Sequence, residues 1–284
     1  HDVTVFSIHH PFLHSGRHGG ANYRYLPVSR VDGFGLRAAA KLARTLPGTS
    51  SNYWQSRLYY AWYALRIALI VRAGSYDVVH VHNIPQLVPW IRGFAPDTSV
   101  VFHIHWHGMS KREHYWGYAI LDDSLVSRCL DKVHTIIVPS EYLRSGLLER
   151  FPQFVGRCRV LLNGVDPDLF KPASNVEDHT IVYVGRLVPE KGIHVLLTAM
   201  RQVVEAVPTA KLRLVGLPWH PGGMASEYER QLHELAAPIL DHIEFTGWKT
   251  HLELGRELPT NAIFAHPAIW EEPLGMAIIE AMAS

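Results

Sequence analysis

The sequence predicts a doubly wound α/β chain, with parallel sheets covered by helices on both faces. Short runs rich in β-branched residues alternate with segments of helical apolar spacing. The runs lack polar alternation, as expected of strands buried on both faces and joined by crossover helices. The length, 284 residues with 48% hydrophobic and 19% charged residues, suffices for two such domains and gives no compositional case for disorder.

In order along the chain, "VTVFSI", "NYRYLPV", "DVVHVHN", "SVVFHIHW", "TIIVPS" and "RVLLNGV" are the expected strands of a first domain. "TIVYVGR", "KLRLVG", "HIEFTG" and "AIFAHPA" are those of a second. Helices are expected over "GIHVLLTAMRQVVEAV", "EYERQLHELAAPIL" and "LGMAIIEAMA", where apolar residues recur at helical spacing. "YYAWYALRIALIV", Tyr59 to Val71, is interrupted by Arg66 and too short to span a bilayer, so it is expected as a buried or partly exposed helix. Asn, Gly, Pro and Asp crowd "NGVDPDLFKPAS", which is linker chemistry. The expected division is 1–162, a linker at 163–176, and 177–284, with a ligand cleft between the carboxyl ends of the two sets of strands.

Lys plus Arg number 27 against 26 Asp plus Glu, so no whole-molecule field favours nucleic acid or an anionic membrane, and any anion site must be local. Cys129 and Cys158 lie in unrelated contexts without CxxC spacing, which argues against a disulfide framework and for a reducing compartment such as the cytosol. No signal peptide opens the chain. It begins on His1 and runs straight into an apolar strand, as a chain cut at its start would.

Chemistry concentrates in two places. In "TIVYVGRLVPEKGIHVLLTAM", Gly185 ends a strand, Arg186 and Lys191 bracket a turn, and Gly192 precedes a helix. Two cations are thereby held beside a helix start, where free N–H groups also favour negative charge, so the loop is a candidate diphosphate clamp. It is neither a Walker A loop nor a dinucleotide fingerprint. In "IWEEPLGMAIIEAMA", Pro273 suits a helix's first turn and Gly275 lets a ligand approach the N–H groups there. Glu272 and Glu280 are offset by about 80° at about 100° per residue, so both can reach one ligand from different heights. Glu280 sits among apolar residues and needs a partner.

These segments resemble the signature segments of the family-four (group 1) glycosyltransferases of the GT-B fold, through "VGRLVPEKG" and "EEPLGMAIIEAMA" with its E-x7-E pair. "VLLNGVDPDLF" is similar to that family's interdomain segment, and "DVVHVHN" and "IIVPSEYL" to its amino-domain strands. Within the family the nearest likeness is to the spore-coat type SA glycosyltransferases. The resemblance implies two Rossmann-like domains facing across a cleft and a metal-independent, retaining transfer of a sugar from a nucleotide-diphosphate donor to an acceptor hydroxyl. It places Arg186 and Lys191 on the diphosphate, Glu280 on the ribose and Glu272 on the sugar hydroxyls. The amides of Leu274, Gly275, Met276 and Ala277 fall on the distal phosphate, His105 near the transferred sugar, and Gly247 and Trp248 by the base. Glu271 receives no role. The family's first strand and Gly-rich loop before "HDVTVFSI", and the strand and helices after "EAMA", have no counterpart, so a truncation at both ends is expected. Gly19 and Gly20 read as a connecting turn, not as that loop. Sugar, lipid and protein acceptors stay open, as do spore-coat association and peripheral membrane contact.

Histidines and paired carboxylates also allow rival chemistries. His103, His105 and His107 alternate in "HIHWHG", and three histidines on one strand face could hold zinc for a metallohydrolase, but no HExxH motif accompanies them. His80 and His82 form another alternating pair. A glycoside hydrolase needs its carboxylates to flank one bond at about 5–9.5 Å, a placement that one loop and its own helix serve poorly. A non-catalytic coat or sugar-binding protein on the same fold is the third alternative.

Overall fold

The computed structural model describes residues 2–7, 15–18, 20–26, 51–106, 123–217 and 227–284. They divide into two compact units, His1–Leu161 and Leu162–Ser284.

In the first unit, β1 (Val3–Ser7) pairs in parallel with β3 (Ala21–Tyr25), and β3 pairs antiparallel with β2 (Gly16–His18). The antiparallel strand departs from the all-parallel expectation. Its cause is local: Gly20, between β2 and β3, adopts φ +84° in a turn, and β3 alternates half-buried with exposed side chains as a one-faced strand does. Gly20 thus lies in a turn; Gly19 lies outside the described residues.

Helix α1 (Ser51–Gly74) contains the apolar run. Tyr63, Ala64, Ile67, Ala68 and Val71 are buried along one stripe, while Leu69 is exposed and the Arg66 guanidinium lies 4.6 Å from the Trp62 ring centroid. Among the described residues, no helix is long and apolar enough to cross a membrane.

A four-stranded parallel sheet follows, ordered β4 (Val78–His82), β5 (Ser99–His103), β6 (Thr135–Val138), β7 (Cys158–Val160). Helices α2 (Leu87–Phe94), α3 (Asp123–Leu130) and α4 (Glu141–Arg150) form the crossovers. Val100, Phe102, Ile136 and Val138 are fully buried beneath Ile91, Leu130 and Leu147 of these helices. Cys129 and Cys158 are free and buried, and burial lifts both thiols above their ordinary pKa, Cys129 to about 11.

The second unit is a parallel sheet in the order β10 (Ile243–Gly247), β9 (Lys211–Val215), β8 (Glu177–Val184), β11 (Asn261–Phe264). Helix α5 (Ile193–Ala206) buries Ile193, Leu197 and Met200, and α6 (Glu227–Ala236) buries Leu232 and Ala236, against one core. A second cluster joins Phe170 to Val182, Val215, Leu254 and Leu258, so part of the segment with linker composition packs onto this unit. The winding direction reverses between β8 and β11, and the loops leaving the carboxyl ends of such strands border the usual ligand crevice of open α/β sheets. Those loops carry Gly185–Gly192 and Ala265–Gly275.

Candidate functional site

Two loops from opposite sides of this switch point are fastened together. After β8, Tyr183 Oη donates to the Arg186 carbonyl at 2.8 Å and the Leu187 amide donates to the Leu217 carbonyl at 3.2 Å. A single 3-10 turn, Pro189–Lys191, then delivers the chain to Gly192. Gly192 is left-handed at φ +70°, ψ +19°, and a Cβ there would stand 1.9 Å from the Pro267 carbonyl oxygen. Only glycine meets both demands. The Ile269 amide donates to the Glu190 carbonyl at 3.0 Å, so the loop after β11 is stapled to the turn after β8.

This staple brings Lys191 onto Glu272, 81 residues later, in a largely buried ion pair. Trp270 completes the group: its indole N–H donates to Glu272 Oε2 at 3.1 Å, and Lys191 Nζ lies 5.1 Å from its ring centroid. His266, which the sequence analysis passed over, has both ring nitrogens buried and without a hydrogen-bond partner among the described residues. Burial and the Lys191 charge hold its pKa down, opposed by Glu272, so it is a neutral imidazole at neutral pH. Its only sequence signal is its place directly after a strand.

Helix α8 (Met276–Ala283) begins beyond this group, with Gly275 as an extended N-cap at φ −76°, ψ 101°. Pro273 therefore precedes the helix instead of entering its first turn, because the extended Gly275 makes Met276 the first helical residue. The Ile278 and Ile279 amides turn back to the Gly275 carbonyl at 3.0 and 3.4 Å. The amides of Met276 and Ala277 are left without an intrahelical acceptor by the geometry of any helix start.

Glu280 is the sole buried residue of this helix, 5% exposed, whereas Met282 is 81% exposed. A carboxylate as the most deeply placed side chain of an apolar helix is not what packing alone selects. Burial raises its pKa; His251, with Nε2 at 3.6 Å from Glu280 Oε1, opposes the rise. His251 is the first residue of α7 (His251–Glu257), whose capping box joins Thr250 and Glu253. The same loop carries the exposed Trp248 and the left-handed Gly247, at φ +75°. Gly185, Gly216 and Gly247 end three adjacent strands: the Gly185 amide donates to Val215 and the Gly216 amide to Gly247, both at 2.9 Å. At Gly216 a Cβ would meet the Gly185 carbonyl oxygen at 1.9 Å, so no side chain fits there.

Of the residues singled out in sequence, Lys191 and Glu272 meet each other, Glu280 meets His251, and Leu274 to Ala277 form the entry to α8. Arg186 follows Gly185 at the carboxyl end of β8.

In the first unit, His105 lies just past β5, and its amide donates to Asn83 Oδ1 at 2.8 Å. Its ring stacks at 5.0 Å on His82, with His82 Nδ1 and His105 Nε2 2.8 Å apart. His80, His82, His103 and His105 form one cluster in which burial lowers every pKa and repulsion among the rings adds to it at His82, His103 and His105, bringing His82 to about 4 and His103 to about 3. The row expected along a single strand, His103, His105 and His107, includes a member, His107, outside the described residues. β5 ends at His103, and among the described residues the nitrogens that converge belong to His80, His82 and His103 across two strands.

Comparison with known proteins defines the class. Residues 1–169 match Glycosyltransferase Family 4 and residues 165–284 match Glycosyl transferases group 1, so the chain belongs to family-four, group 1 glycosyltransferases. Spore coat protein SA of Bacillus subtilis (strain 168) is 24% identical over 301 aligned positions, covering 100% of this chain and 70% of that protein. The lipopolysaccharide 1,2-N-acetylglucosaminetransferase of Salmonella typhimurium is 26% identical over 249, covering 80% of this chain and 60% of its own length. A further Bacillus subtilis relative is spanned over 57% of its length. Among solved structures, the E. coli trehalose-6-phosphate protein bound with UDP-2-fluoro glucose superposes with a TM-score of 0.68 at 13% identity, covering 99% of this chain and 74% of that one. The fold is GT-B.

Proposed function

We propose that the chain carries the donor site of a retaining glycosyltransferase that moves a sugar from a nucleoside-diphosphate sugar, a uridine one first among them, to an acceptor hydroxyl. The observation that supports this most is the closure of Lys191 onto Glu272 beside the start of α8, with Glu280 buried four residues beyond Met276. Lys191 and the free helix amides then address the diphosphate, Glu272 the sugar and Glu280 the ribose of one nucleotide sugar. The uridine preference is drawn from the sugar nucleotide bound by the E. coli structure.

In this mechanism the bond from the anomeric carbon to the diphosphate oxygen breaks as the bond to the acceptor oxygen forms on the same face. The acceptor proton passes to the departing diphosphate. Charge grows on that leaving group, and Arg186, Lys191 and the amides of Leu274 to Ala277 stabilise it in place, with no metal required of the donor site. Glu272 leaves Lys191 to the phosphate and accepts from sugar hydroxyls; Glu280 accepts from the ribose; Gly247 and Trp248 border the base. His105 is assigned to handling of the transferred sugar through the family resemblance. A cytoplasmic setting, with spore-coat or other surface glycan as product, is the proposed context.

The test is a panel of nucleoside-diphosphate sugars. One class should raise the thermal midpoint and release its nucleoside diphosphate. A sugar or partner bound tightly with no diphosphate released would instead favour the non-catalytic binding protein.

A further inference from the structure

We propose that His80, His82 and His103 form a binding site for a borderline-soft divalent cation, Zn2+ in the first instance, at the carboxyl ends of β4 and β5, with His105 as the outer hydrogen-bond partner that orients His82. One ring nitrogen from each of the three lies within 4.8 Å of the other two. The parallel register sets His82 beside His103, and period-two alternation puts His80 on the same face.

His103 supplies the second, independent observation. It is 6% exposed, and both its ring nitrogens are buried without a hydrogen-bond partner among the described residues. Buried polar groups are normally satisfied, and an imidazole at this depth with two idle nitrogens is one waiting for an electrophile. His80 and His82 are exposed, which supplies both an entry path and the freedom to adjust. Tetrahedral zinc at about 2.0–2.1 Å holds its ligand nitrogens about 3.3 Å apart, so the exposed pair must swing inward by roughly an ångström onto the fixed His103.

The second sphere is present. Metal-bound histidines commonly donate their other ring N–H to a neighbouring acceptor, which fixes the tautomer. His82 Nδ1 lies 2.8 Å from His105 Nε2, and the His105 backbone is itself held by Asn83. With His82 donating from Nδ1, its Nε2 lone pair is the one left for the cation. Three neutral imidazoles select zinc, copper or nickel over magnesium or calcium, and three ligands leave a fourth position for water or a substrate oxygen. None of the three ligands is a residue assigned to donor or sugar, and His105 alone is shared with the proposed transfer, so zinc binding can be tested apart from it.

The experiment titrates the full chain, stripped with EDTA, with ZnCl2 in competition with a chromogenic zinc indicator. Expected are one zinc per chain at micromolar affinity or tighter, no displacement by millimolar Mg2+, and at least about tenfold weaker binding in His80→Ala and in His82→Ala. Both variants should unfold at the parent's temperature in EDTA. Binding equal in the parent and both variants would assign zinc to other histidines and overturn the site, as would no saturable binding at all. Should either variant fail to fold, the parent with Co2+ decides: an intense visible band of tetrahedral nitrogen ligation supports the site, and the pale octahedral spectrum overturns it.

Discussion

Replacing Lys191 separates the two tasks its ammonium performs. Without ligand it neutralises Glu272, and the two side chains are 14% and 18% exposed. The pair therefore falls between a surface bridge, worth about 0–1 kcal/mol, and a fully buried one, whose breaking costs about 3–5 kcal/mol. Lys191→Ala leaves Glu272 with the Trp270 indole but without its counter-charge, and a loss of about 2 kcal/mol is expected. Turnover should fall at least about tenfold, equivalent to 1.4 kcal/mol, because the diphosphate loses a cation. Structure and chemistry part in the double variant Lys191→Met, Glu272→Gln. Removing both charges while keeping both shapes should return stability to within about 0.5 kcal/mol of the parent. Turnover should remain at least about tenfold below that of Glu272→Gln alone. Urea melts followed by tryptophan fluorescence give the first quantity and nucleoside-diphosphate release the second. A double variant as active as Glu272→Gln would refute Lys191 as a leaving-group cation; Lys191→Ala as stable as the parent would refute the pair as a fold determinant.

Gly192→Ala should cost about 3 kcal/mol or more in urea melts, since alanine must take a left-handed backbone and displace the Pro267 carbonyl; a change under about 1 kcal/mol would contradict that packing. Glu280→Gln carries opposite signs in two assays. Burial raises the folded pKa of Glu280 above its ordinary 4.5, so the folded state binds the proton more tightly, and its contribution to stability is lost as pH rises through the folded value. The variant should therefore melt higher than the parent at pH 7, with the difference gone below about pH 4, while donor affinity drops. Equal melting at pH 7 would mean that His251 already offsets the burial. Thr250→Ala removes the capping box at the start of α7, where Thr250 Oγ1 accepts from the Glu253 amide at 3.2 Å and Glu253 Oε2 accepts from the Thr250 amide at 2.7 Å. About 1 kcal/mol should be lost and largely restored by Thr250→Ser; if serine does no better than alanine, the cap is not the cause.

What could be read in sequence was what is local. β5 and β6 announced themselves because a run of apolar residues, Val100, Phe102, Ile136 and Val138 among it, is itself the strand's buried surface, and α5 did so through a stripe at Ile193, Leu197 and Met200. β2 did not, since Gly16, Arg17 and His18 have no strand preference and are extended only because β3 folds back beside them. The histidine cluster was half visible. Alternation fixes a face but not a register, and only the pairing of His82 with His103 shows which two strands share the site. The family resemblance addressed Lys191 and Glu272 each to a ligand, and nothing local could show that they hold each other.

That mutual hold changes how the proposed donor site would work. Lys191 and Glu272 are satisfied without substrate, so a nucleotide sugar bound at the proposed site would have to exchange that contact for its own before gaining from it. The exchange lowers affinity for any ligand that replaces just one partner: free phosphate would take Lys191 and strand Glu272 as an unpaired, largely buried carboxylate. A ligand that brings anion and hydroxyls together satisfies both at once. Discrimination for an intact nucleotide sugar over its fragments then follows from the cost of leaving one half of the Lys191–Glu272 pair behind.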